Sequence, residues 1–143
     1  MGVDAMLESV DLVKAGKAPR IKQDEALATY EGRCTAETAR IDWGKSWRQI
    51  DPLIRGCNPA PGAWTTHDGK TVKIFDATPL PARDPKGIGG KLGEVVAVEA
   101  GGVTVVCADG RMKVTRVQPD GGKKIEAGEW AQSVGLGAGT RFA

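Results

Sequence analysis

The chain has 143 residues, of which 41% are hydrophobic and 27% charged, with a formal net charge of +2. That balance suits one soluble domain of moderate size with an appended segment, and a charge so small does not by itself indicate a nucleic-acid partner. No apolar run approaches the roughly 18 residues that cross a bilayer. The first residues carry Asp4, Glu8 and Asp11 and lack the basic flank and apolar block of a secretory signal. A cytoplasmic protein without a membrane partner is expected.

The charge is uneven along the chain. Residues 1–43 hold six Lys/Arg and eight Asp/Glu, whereas residues 44–143 hold fourteen and ten. The second part is mildly basic, a weak hint of an anionic partner. Cys34, Cys57 and Cys107 are widely spaced and make no C-x-x-C pattern, which suits a reducing cytoplasm. His67 is the only histidine, so neither a zinc site nor any other metal site is expected.

In chain order, Val3, Met6, Val10 and Val13 recur at helical spacing and predict an amphipathic helix over 3–15. Gly16 stops it and Pro19 breaks the pattern. Residues 16–35 read as an extended connector. Ala39 to Trp43 reads as the start of a strand. Ser46 can cap a helix bearing Trp47, Ile50, Leu53 and Ile54, but Pro52 conflicts with a helix interior. Asp51 as cap before Pro52, or two short turns, is the other reading.

From Gly62 the pattern becomes β. Strands are expected over Thr71–Thr78, Gly93–Val98, Val103–Cys107 and Arg111–Val117, with turns at Ala100-Gly101-Gly102 and Asp109-Gly110. Sequential hairpins predict an antiparallel meander that closes on itself. Residues 79–92 read as a long flexible loop. Its glycines at 87, 89 and 90 lack the Gly-Lys-Ser/Thr of a phosphate cradle. Ile125 to Ser133 reads as a short closing helix or turn with Trp130 tucked in, and Gly135 to Ala143 as a glycine-rich tail.

Several short motifs follow one another in a specific order: Ala28-Thr29-Tyr30, Ile41-Asp42-Trp43, Ile54-Arg55, Pro61-Gly62-Ala63 and Gln118-Pro119-Asp120-Gly121. Together they resemble the linker and carboxy-terminal domain of the folate-dependent formyltransferase family over nearly the whole chain. Gly16-Lys17-Ala18-Pro19-Arg20 and Tyr30-Glu31-Gly32 most resemble the hydrolase part of 10-formyltetrahydrofolate dehydrogenase, and the methionyl-tRNA formyltransferases carry a similar framework. Trp47 and Pro52 depart from the family pattern.

The resemblance implies a mainly β fold. This is an open, OB-like antiparallel barrel with an amino-terminal helix and linker (residues 1–35), a main domain (36–143) and one or two short helices. It implies that an Asn, a His and an Asp in a preceding Rossmann-like domain act on 10-formyltetrahydrofolate. None of that triad maps onto this chain, so no catalytic residue and no cofactor are expected here. The implied partners are that amino-terminal catalytic domain and, in one branch, tRNA. A stand-alone OB-type nucleic-acid-binding module is the rival reading.

Arg55, Arg111, Lys113, Arg116, Lys123 and Lys124 are the candidate substrate-binding residues. Arg111 and Lys113 would share one strand face, and with Lys123 and Lys124 could follow a phosphate backbone without reading its sequence. A solvated outer face is the plainer alternative. For Arg55 the alternative to a phosphate is a structural ion pair. Asp42 is expected to tie down a turn and Trp43 to pack in the core. Stacking platforms look few, because the tryptophans read as core.

Overall fold

The computed structural model describes residues 2–30, 32–82 and 89–143. The chain divides into two compact units, Met1–Gly32 and Arg33–Ala143.

In the first unit, α1 spans Gly2–Lys14 and buries no residue. Gly16 ends it at φ +67°, the left-handed conformation that stops helices. The connector is extended except for a single 3₁₀ turn, Glu25–Leu27, capped by Asp24, whose carboxylate accepts from the Ala26 N–H.

The second unit opens with a turn and not the expected strand. Among residues 39–43 the only ladder contact is an isolated parallel bridge, Arg40 to Trp64. The chain leaves it at once, because Asp42 accepts from the Gly44 N–H at 2.8 Å and folds the backbone over. Next, α2 runs unbroken over Trp47–Gly56 with Pro52 inside it. The alternative start at Asp51 and the two-turn reading are therefore both wrong. Ser46 forms a capping box with Gln49, and α2 packs against the neighbouring strands through buried Ile50 and Ile54. Those contacts hold the helix across the lost proline hydrogen bond.

Among the described residues six strands follow: β1 Ala63–His67, β2 Lys70–Pro81, β3 Val95–Glu99, β4 Gly102–Cys107, β5 Gly110–Pro119 and β6 Ile125–Glu126, with α3 over Ala127–Ser133. All the strand pairings are antiparallel, in the order β1-β2-β5-β4-β3, with β6 beside β5. The simple meander is corrected on two counts. First, β5 inserts between β2 and β4, because its ten residues offer both edges to long partners. Second, β1 and β3 do not pair, so the sheet stays open.

The gap is spanned by the segment read as a tail. Gly139 and Thr140 hydrogen-bond to Val95 and Phe142 to Gly93 on the β3 side, while Ala143 exchanges two bonds with Thr66 of β1. Leu136 and Phe142 are buried there. Gly93 is required at this crossing, since a Cβ on it would lie 2.6 Å from the Phe142 carbonyl oxygen.

The loop expected over 79–92 begins later than predicted. β2 continues to Pro81, although it carries Pro79 and Pro81. β1 stops pairing with β2 at Ile74, so the prolines face an edge that needs no donor. Residues 83–88 of that loop, with Gly87 of the glycine pattern, lie outside the described residues. The β1–β2 hairpin turns on Asp68 (φ +49°) and Gly69 (φ +73°), a turn the sequence reading passed over. At the β4–β5 hairpin Cys107 pairs with Gly110, so the turn residues are Ala108 and Asp109. Gly110 serves a different need: a Cβ there would meet the Leu80 carbonyl oxygen at 2.7 Å.

The core lies between the inner face of the sheet, α2 and α3. Ile41, Ile50, Ile54, Ile74, Val105, Met112 and Val114 form its centre, with Trp43, Trp130 and Phe142 at one end. Cys107 is a small buried member of it.

Candidate functional site

The candidate basic residues spread over three elements. Arg111 and Lys113 share the outward face of β5, opposite Leu80 and Thr78 of β2 and Val106 and Thr104 of β4. Lys113 is half spoken for: its Nζ lies 2.9 Å from Glu99 Oε2. A bulge breaks the ladder near Asp76, and beyond it Arg116 is exposed, in register with Asp76 and Glu126. Five residues of strand put Arg116 about 16 Å from Arg111. Lys123 and Lys124 belong to this second end. Lys123 is exposed just after the turn, and Lys124 holds its Nζ 3.6 Å from the ring centre of Phe75, a cation–π contact. Arg55 projects from the last turn of α2 and pairs with Asp51 at 3.0 Å, one helical turn away. The structure thus joins the set in two groups along β5 and leaves Arg55 apart.

Asp42 and Trp43 behave as structural residues. The Trp43 indole N–H donates to Thr65 Oγ1 at 3.1 Å inside the core. Trp47 and Trp64 pack against the edge of the core, and the Trp64 indole N–H donates to the Ala36 carbonyl oxygen. Both are half-buried, and each carries a guanidinium: Arg48 stacks 4.4 Å over Trp47, and Arg40 lies 5.6 Å over Trp64. The expectation that the tryptophans are core holds for Trp43 and Trp130 only. Adjacent Trp47-Arg48 was the available signal for one of these pairs.

One polar constellation escaped the sequence reading. Asp109, from the β4–β5 turn, accepts from Ser46 Oγ at 2.6 Å, from the Trp47 N–H at 2.9 Å and from Arg48 Nη1 at 3.2 Å. Burial raises its carboxyl pKa, but the Ser46 and Trp47 bonds and the Arg48 charge outweigh that and hold it below its ordinary value. No spacing rule links residues 63 positions apart.

Among the described residues, clefts open on the surface of this unit. One, of about 460 Å³, is lined by Arg40, Asp42, Trp43, Leu92 and Arg141 among others. Another, of about 360 Å³, is lined by His67, Asp68, Lys70, Asp120 and Trp130 among others. His67 stands edge-on to Trp130 and Phe142, with ring centres 5.7 and 6.2 Å away. Its Nε2 is 3.7 Å from Asp68 Oδ2, beyond hydrogen-bond reach. No group of three or more potential metal ligands occurs among the described residues.

The family described as "Formyl transferase, C-terminal domain" matches residues 33–135. The chain belongs to that family. The matched formyltransferase C-terminal domain runs from just before the first turn of the second unit to the end of α3. Methionyl-tRNA formyltransferase of Geobacter metallireducens is 33% identical over 99% of this chain and 44% of its own length. That of Moorella thermoacetica is 39% identical over 92% of this chain and 41% of its own. The chain therefore spans less than half the length of the curated relatives it matches.

Among solved structures, a variant of HypX from Aquifex aeolicus superposes with a TM-score of 0.67 at 23% identity, covering 95% of this chain and 24% of that one. HypX in complex with tetrahydrofolic acid gives 0.66 at 22% identity, covering 95% and 23%. At those identities the likeness is one of fold. Among the described residues no helix of this formyltransferase domain is long and apolar enough to cross a membrane.

Proposed function

We propose that this chain is the accessory carboxy-terminal part of a cytoplasmic, 10-formyltetrahydrofolate-dependent formyltransferase. It docks to an amino-terminal Rossmann-like catalytic domain and helps hold the acceptor, with tRNA the acceptor of first choice. The observation that carries this reading is the family match over 33–135, extended across almost the whole chain by relatives named methionyl-tRNA formyltransferase. The open antiparallel sheet with its outward cations fits an OB-like role in which phosphates are met along the backbone.

The residues described here do not fit the formyl group of the folate. The one imidazole packs edge-on between aromatic rings, and Asp68 is too far to share its proton. No step of the transfer is therefore assigned to this chain, and by itself it should neither transfer nor hydrolyse the formyl group. In the intact enzyme Arg111, Lys113, Arg116, Lys123 and Lys124 would contact acceptor phosphates, with Arg55 at the margin because Asp51 already holds it.

A gel-shift titration with initiator tRNA at about 50 and 200 mM salt tests the acceptor. Binding should weaken steeply with salt, and Lys123→Glu with Lys124→Glu should lower affinity by about tenfold. An affinity unmoved by both changes would remove tRNA. Equal binding of single-stranded DNA would favour a general nucleic-acid module, and measurable formyl turnover by the chain alone would remove the accessory role.

A further inference from the structure

Two of the three cysteines, 23 positions apart in sequence, meet in space. Cys34 Sγ and Cys57 Sγ are 3.1 Å apart, and both are free thiols. Both lie in the unit Arg33–Ala143. Cys34 is exposed, one residue after that unit begins, whereas Cys57 is buried in the core at the C-cap of α2. A disulfide needs its sulfurs at about 2.05 Å, so closure asks for a shift of about 1 Å, mostly of the exposed partner. Cys107 is buried as a member of β4, paired to Gly110, with no sulfur beside it among the described residues.

We propose that Cys34 and Cys57 are a redox-modifiable dithiol that closes to a disulfide under peroxide. The Cys34 thiolate, which solvent reaches, attacks a peroxide oxygen. The O–O bond breaks, leaving a sulfenic acid on Cys34 and releasing the other oxygen as water once protonated. Cys57 sulfur then attacks that sulfenic sulfur. The S–O bond breaks, the S–S bond forms, and a second water leaves with the Cys57 proton. Two thiols lose two electrons and hydrogen peroxide is reduced to two waters.

The order of events follows from burial. Desolvation, reinforced by Cys34, pushes the Cys57 thiol up to about 11, so Cys57 waits as the resolving group while Cys34 reacts first. The bond would tie the start of the folded unit to the end of α2, closing the loop that contains Trp43 and all of that helix. It would be formed under oxidative stress and reversed by a dithiol reductant, as is usual for disulfides in a reducing compartment.

The test uses the whole 143-residue chain, treated with hydrogen peroxide or with dithiothreitol. The expected result is a monomer lighter by two hydrogens, a Cys34–Cys57 linked peptide on non-reducing digestion, and a melting midpoint raised by roughly 10 °C. Cys34→Ser should abolish all three without unfolding the chain, since position 34 is exposed, and Cys107→Ala should leave the mass loss, the linked peptide and the rise of the midpoint on oxidation in place. Oxygen adducts on Cys34 with no linked peptide, an intermolecular dimer through Cys34, a bridge involving Cys107, or an unchanged mass would each overturn it.

Discussion

The helices α1 and α2 invert the ordinary relation between local preference and stability. α1 satisfies several local rules, with thirteen residues, an acidic first turn, a basic last turn and a glycine stop, yet none of its residues is buried. α2 breaks one, with Pro52 in its interior, and is fastened at its start by Ser46 and Asp109 and along its length by Ile50 and Ile54. The difference teaches that in this chain a helix is secured more by what it packs against than by its own sequence. An isolated 13-residue helix is marginal in water, whereas packing carries a ten-residue helix past a proline that would otherwise cost about 3 kcal/mol.

Four variants test that contrast. Ile54→Ala should have the largest effect, lowering the stability of the second unit by about 3 kcal/mol, because Ile54 is only 1% exposed and leaves a cavity. A loss below about 1 kcal/mol in denaturant titration would show that packing does not secure α2. Asp109→Ala comes next, at about 2 kcal/mol, from the lost N-terminal cap. Its effect carries a pH signature. Because the folded carboxyl lies below its ordinary 3.8, its contribution is present above that value and lost as pH falls through the folded value. The gap between native chain and variant should therefore close in strong acid.

Pro52→Ala should stabilise by about 1 kcal/mol. It restores a backbone donor, with part of the gain cancelled by a freer unfolded chain. A loss instead would mean that the ring is needed where it stands, on an exposed face. Val10→Ser in α1 should be the smallest, shifting the unfolding of the second unit by less than about 0.5 kcal/mol. A larger drop would show that the apolar stripe of α1 is already covered in solution.

Alkaline titration addresses the other end of α2. The Cys57 thiol is raised from 9.0 to about 11, chiefly by burial. Stability that is complete below pH 9 should fall as pH rises towards 11, and Cys57→Ala should flatten that limb in thermal melts.

Strand positions were legible because alternation along Arg111–Val117 and β-branched runs at Thr71–Thr78 and Val103–Cys107 report burial directly. The order of the strands was not, since β2 pairs with β5 across an intervening hairpin that periodicity does not encode. Of the site, the cations were legible as residue types and as a shared face for Arg111 and Lys113. Their division by the bulge at Asp76 was hidden, as was the pairing of Lys113 with Glu99.

Hydrophobic period by itself thus determined a mainly β chain with a helical lead segment, and the ordered motifs carried the resemblance to the formyltransferase family that the family match bears out. These depend on neighbours a few residues apart, which any reader of the chain can count. Only the tertiary structure decided that Pro52 stays inside one helix and that Asp109 caps it from 63 positions away. It alone showed that residues 139–143 span the open sheet and that Cys34 touches Cys57. Each of these rests on a contact between distant residues, whose energy exists only once the fold has brought them together.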